Sequence, residues 1–87
     1  MRYNELQQIY AHDEYYWGTE PNEFAKRAVE FAPERDDLSA IDVGAGEGRD
    51  SVYMAERGLD VLAVDVAPNG LEKARRLADD RGVAIDT

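Results

Sequence analysis

Residues 39–65 read SAIDVGAGEGRDSVYMAERGLDVLAVD, and the rest of the chain is arranged around them. A short apolar run, Ala40-Ile41-Asp42-Val43, comes first. A turn with glycine at every second position follows, Gly44-Ala45-Gly46-Glu47-Gly48. Beyond it, from about Arg49 to Arg57, Val52 and Ala55 have the spacing of a buried helix face, and Gly58 can end that helix in the left-handed region. A second apolar run, Val61-Leu62-Ala63-Val64, closes on Asp65. The first run shows little alternation, which suits a parallel strand covered on both faces, with Asp42 as its interruption.

Strand, glycine turn, helix, strand and carboxylate is the order by which open α/β sheets hold a nucleoside-type ligand. Glycine permits positive φ and a close approach of the backbone to the ligand. A helix starting near Gly48 aims free N–H groups and its positive dipole end at the same place. Asp65, at the carboxyl end of its strand, can accept hydrogen bonds from both hydroxyls of a ribose and would repel a 2′-phosphate. Spacing narrows the ligand. The dinucleotide fingerprint is G-x-G-x-x-G, but its third position here is Arg49, and the pattern is G-x-G-x-G with Gly48 third.

At 87 residues the chain is one small domain at most, near the size where a single core suffices only marginally. It has no cysteine, which excludes disulfides and thiolate metal sites. No apolar run approaches the ~20 residues that span a bilayer, and the N-terminus lacks the apolar block of a secretory signal. A soluble cytoplasmic protein is the expectation. With 19 acidic against 10 basic residues the net charge is −9. A phosphate backbone asks for a basic surface, so nucleic acid is not expected as a direct partner.

Residues 1–16 read as a helix candidate with Leu6, Ile9 and Tyr10 on one face, fading at His12-Asp13-Glu14. Thr19-Glu20-Pro21 is a helix start signal. Phe24, Ala28, Phe31 and Ala32 then give the stripe of a helix lying on a core, ended by Pro33. Residues 34–38 are a charged loop. After the second strand, Pro68 opens a helix with Leu71, Ala74, Leu77 and Ala78 on one face, and Gly82 closes it. Glu72 and Arg76 can pair at i, i+4. Val83-Ala84-Ile85 begins a third strand. The fold expected is α/β, a partial Rossmann-like three-layer sandwich: N-terminal helices over 1–38, then a βαβαβ half over 39–87, truncated in or near its third strand. The first strand should then be a free edge through which the chain can self-associate.

The segment Ile41-Asp42-Val43 with G-x-G-x-G resembles motif I of the class I S-adenosylmethionine (SAM) methyltransferases. Residues 15–27, YYWGTEPNEFAKR, and 41–74, IDVGAGEGRDSVYMAERGLDVLAVDVAPNGLEKA, are similar to those of the tellurite-resistance-type branch. The resemblance implies SAM as cofactor and a small-molecule methyl acceptor. It implies cofactor contacts by Asp42, Gly44, Ala45, Gly46 and Gly48, by Asp65 on the ribose, and by Val66 against adenine. Asp50 departs from the branch, which usually has Asn there. The family's adenine-contacting acid after the third strand and its substrate motif after the fourth have no counterpart here. The resemblance therefore assigns no catalytic residue, and the chain is expected to be inactive alone.

Other readings stand beside these. Asp42 is either a structural acid bonded to the glycine-loop amides or a partner for the methionine ammonium of SAM; a buried carboxylate needs a partner in both cases. Glu47 and Arg49 read as solvated loop charges. His12, Asp13 and Glu14 are adjacent and do not converge on a metal. Tyr15, Tyr16 and Trp17 read as packing residues joining a helix to the sheet, with a lid over the cofactor as the alternative. Two other functions share this half-fold: a non-catalytic nucleotide-binding or interaction module, and a fragment of an NAD-dependent oxidoreductase, which Arg49 disfavours.

Overall fold

The structure, a computed structural model, describes residues 2–33 and 36–87. At its centre strand β1 (Ser39–Val43) pairs in parallel with β2 (Asp60–Val64), Ser39 opposite Asp60 and Val43 opposite Val64. Parallel neighbours need a crossover, and α3 (Arg49–Glu56) supplies it, packing on both strands. Helix α4 (Pro68–Asp80) packs beside α3 and against α1 (Tyr3–Tyr10), while α2 (Glu23–Phe31) rests on α3. Pro68 opens α4 at its first turn, and Gly58 and Gly82 take positive φ after α3 and α4. Glu72 and Arg76 pair at 3.0 Å. This is α/β, a partial Rossmann-like arrangement, and none of its described helices is long and apolar enough to cross a membrane.

Register decides which side of the sheet is buried. Val61 and Ala63 turn toward the helices and are buried, and Val52, Leu77 and Ala78 continue that core between α3 and α4. The other face carries Ile41, Val43, Leu62 and Val64 in facing pairs, and it is bare: Ile41 is 67% and Val43 78% exposed. Among the described residues β1 pairs only with β2 and forms the edge of the sheet.

Three expectations need correction. The helix stripe at Phe24, Ala28 and Phe31 does not lie on the core. Phe24 is 85% and Phe31 78% exposed, because α2 docks on α3 through its other face, where Ala25 is buried and Val29 half-buried. That helix also starts later than read. Asn22 is its N-cap, accepting from the Ala25 N–H at 2.9 Å, and Pro21 precedes the cap. The third strand shrinks to a single parallel bridge between Asp86 and Leu62. Val83 and Ile85, read as strand residues, instead pack against Val52, Leu77 and Ala78. The loop read at 34–38 lies partly outside the described residues, at 34 and 35, as does position 1 of the first helix candidate.

Candidate functional site

Everything at the site hangs on the loop between β1 and α3. Gly44, Gly46 and Gly48 all have positive φ, at 74°, 58° and 89°. The Gly44 and Ala45 N–H groups donate to the carbonyl of Val64 at 2.8 and 3.0 Å, and the Gly48 N–H to that of Ala45 at 3.0 Å. The Gly46 N–H donates to Asp65 Oδ2, and the Ala67 N–H to Asp65 Oδ1, each at 2.8 Å. These four loop amides are thus satisfied internally, and the loop is held in shape by the end of β2.

Above the loop lies a cavity of about 370 Å³, a size that suits a small ligand. Gly44, Ala45, Gly46 and Asp65 line it; Tyr10 and Trp17 form a wall. The Trp17 indole N–H donates to the Tyr10 hydroxyl at 2.9 Å. A second groove of about 330 Å³ adjoins through Gly44 and Asp65, and its sides are Leu6, Val43, Val64 and Val66. Asp65 therefore stands between a polar cavity and an apolar slot, and Val66 belongs to the slot. Such an arrangement fits a nucleoside: a diol at the carboxylate, a base against the valines.

Two residues expected at the cofactor stand outside the cavity lining. Gly48 does not line the cavity. A Cβ built on it would sit 2.4 Å from the Ala74 Cβ, so its role is to let α3 and α4 approach. Asp42 also stands off the cavity lining. Its partner is the buried Ser51, whose hydroxyl donates to Oδ2 at 2.6 Å, in place of the loop amides. Burial holds the Asp42 carboxyl above its ordinary pKa, with the Ser51 hydrogen bond working against that rise.

Glu47 overturns the solvated-charge reading. It is 1% exposed and pairs with Lys73, itself 3% exposed, at 2.6 Å; its other oxygen accepts from the Trp17 N–H at 3.1 Å. Arg49 is half-exposed and donates to the Trp17 carbonyl at 3.2 Å. Asp50 accepts from both the backbone and the side-chain amide of Asn22, each at 2.8 Å. As an acceptor-only side chain it fits those two donors, and it thereby fixes the N-cap of α2 at the cavity rim. Sequence reading placed Tyr10 on a helix face and missed its place in the wall. A lysine beside the apolar stripe of α4 was the available signal for Lys73.

The geometry is that of the glycine-turn half of an open α/β sheet, with a cavity at the carboxyl ends of its strands. A profile of the methyltransferase domain family matches residues 40–87. The tRNA 5-carboxymethoxyuridine methyltransferase of Escherichia coli (strain K12) is 34% identical over 56 residues, 64% of this chain and 21% of that protein. The 2-heptyl-1-hydroxyquinolin-4(1H)-one methyltransferase of Mycobacteroides abscessus is 37% identical over 43 residues, 49% of this chain and 19% of that protein. A solved structure from "Conversion of a Disulfide Bond into a Thioacetal Group during Echinomycin Biosynthesis" is similar in fold, with a TM-score of 0.77 and 21% identity, over 97% of this chain and 37% of that one. The chain belongs to the methyltransferase domain family, of the class I SAM-dependent type. It spans about a fifth of the length of the curated relatives it matches.

Proposed function

We propose that this chain is the SAM-binding portion of a small-molecule methyltransferase. One observation carries the reading: Asp65, braced by two backbone N–H donors, sits between the polar cavity and the valine-lined slot. Asp65 would hold the ribose hydroxyls, Val66 the adenine, and Gly44 to Gly46 the backbone surface beneath them. When bound, SAM supplies an electrophilic methyl group to an acceptor nucleophile. This chain's own share is to bind and orient, which is where much of the rate of such a transfer comes from. The net charge of −9 speaks for a small acceptor over a nucleic acid, although one relative is named for a tRNA nucleoside. The segment spans a fifth of its relatives, and no acceptor-contacting residue is assigned in it. Alone, it is expected to bind cofactor without transferring methyl.

The test is calorimetric titration of the chain with SAM, S-adenosylhomocysteine and NAD. Saturable binding of the first two and not of NAD is expected. Preference for NAD would overturn the reading, and binding of none of the three would leave a module without this cofactor.

A further inference from the structure

The ion pair Glu47–Lys73 belongs to no expected contact, yet it is the most deeply buried pair of charges among the described residues. Glu47 comes from the glycine loop and Lys73 from the middle of α4, 26 residues on. Both charges reach for the same third element, the stretch 14–17 that follows α1. Lys73 Nζ donates to the carbonyl of Glu14 and lies 4.9 Å from the centre of the Tyr15 ring. The Tyr15 hydroxyl donates back to the carbonyl of Lys73 at 3.0 Å. Glu47 takes the Trp17 N–H, and the Trp17 indole then reaches Tyr10. Trp17 and Tyr10 stand directly over Gly46: a Cβ built there would lie 3.2 Å from the Tyr10 hydroxyl and 3.7 Å from Trp17 Cδ1.

A buried ion pair is a poor way to stabilise a fold, since apolar residues of equal volume usually do as well or better. It is a good way to fix geometry, because each charge accepts few arrangements of its partners. We infer that Glu47 and Lys73 are positioning residues for the cofactor cavity: together they fasten the stretch 14–17 against the glycine loop, so that Trp17 and Tyr10 form a fixed wall over the ligand. The inference rests on the cavity being the cofactor site, but its structural half stands without any ligand. Trp17 is the chain's single tryptophan, so its fluorescence reports the wall alone.

The experiment is the double variant Glu47→Met/Lys73→Met in the full chain, with three readouts: thermal melting, acrylamide quenching of Trp17, and affinity for S-adenosylhomocysteine. The methionines conserve volume and remove both charges, so a purely stabilising role predicts a lower melt with unchanged quenching and unchanged binding. A positioning role predicts a melt at or above that of the wild type, together with freer quenching. It also predicts an affinity lower by about tenfold, the scale of one well-placed contact. If the double variant does not melt cooperatively, the same quenching and affinity readouts on Glu47→Gln decide, and both should move the same way by a smaller factor. Unmoved quenching in a folded variant overturns the inference whether or not affinity changes. Should the wild type bind no S-adenosylhomocysteine, the proposed function fails, while quenching still tests the fastening of the wall.

Discussion

The third glycine of the loop offers the sharpest test, because it stands outside the cavity lining and packs against α4 instead. At Gly48 φ is 89°, and a Cβ there would meet Ala74 at 2.4 Å from its Cβ and 2.8 Å from its Cα. Ala74 is fully buried on α4, so relief requires moving a helix. In Gly48→Ala the left-handed backbone costs about 1–2 kcal/mol, and the overpacked contact about 1–3 kcal/mol. The sum, about 2–5 kcal/mol, is a large part of the roughly 4–13 kcal/mol that a domain of this length holds at about 0.05–0.15 kcal/mol per residue. In urea, followed by far-UV circular dichroism, the midpoint should fall by roughly 1 M or more, given a slope of about 1–3 kcal/mol per molar. Ala74→Gly in the same chain removes the nearest clashing atom, so the pair should couple favourably by about 1–2 kcal/mol, despite the cost of a helical glycine. Gly46→Ala should behave differently. Its nearest neighbour is the end of the Tyr10 side chain, which can give, and its effect should fall on the ligand wall. A Gly48→Ala midpoint equal to the wild type, or no coupling to Ala74→Gly, would refute the packing argument.

Asp65→Asn should weaken S-adenosylhomocysteine by about 1–3 kcal/mol, the scale of a charge-assisted hydrogen bond, read by calorimetry. Asp42 has a raised pKa, so the folded chain binds its proton more tightly than the unfolded one; stability should fall as pH rises above the ordinary aspartate range, and Asp42→Asn should flatten that part of a melting-temperature profile. The bare sheet face should make the isolated 87-residue chain bind a hydrophobic dye and sediment as more than its 9.8 kDa monomer. Ile41→Lys/Val43→Lys should return it toward the monomer, and a monomeric wild type would sink this expectation.

What was legible in the sequence was whatever depends on a residue's own backbone or on a short period. The loop glycines announce positive φ, the two apolar runs announce strands, and the distance from Gly44 to Asp65 is fixed by one crossover helix. What was illegible depends on partners far along the chain. Glu47 looks like a loop charge until Lys73 arrives from α4 with the stretch around Tyr15. Phe24 and Phe31 form a true helical stripe, but periodicity cannot say what that stripe faces, and here the opposite side of α2 docks. Asp42 was read correctly as needing a partner; its identity as Ser51, on the following helix, needed the packing of α3 on β1. Gly48 has the positive φ that its place in the loop suggests, and its close approach to Ala74 depends on α4 arriving from farther along the chain.

On the proposed reading, the strand end prepares Asp65 for a ribose. A carboxylate offers about four lone-pair positions, and one on each oxygen is already given to Gly46 and Ala67. A position on each oxygen remains for a diol, and the two backbone donors hold the group still before the diol arrives. Less ordering is then left for the binding step, which raises affinity without any added contact. The same bracing would tie a ligand at Asp65 to the loop, because the N–H that Asp65 holds belongs to Gly46, the residue beneath Tyr10 and Trp17. An amide at this position keeps one oxygen and turns an NH2 toward one of two N–H donors, where no hydrogen bond can form. Its effect therefore spreads from the ribose to the loop and, through Gly46, to the wall. The carboxylate, the glycine and the aromatic pair act as one unit, and substitutions among them should add less than their separate effects.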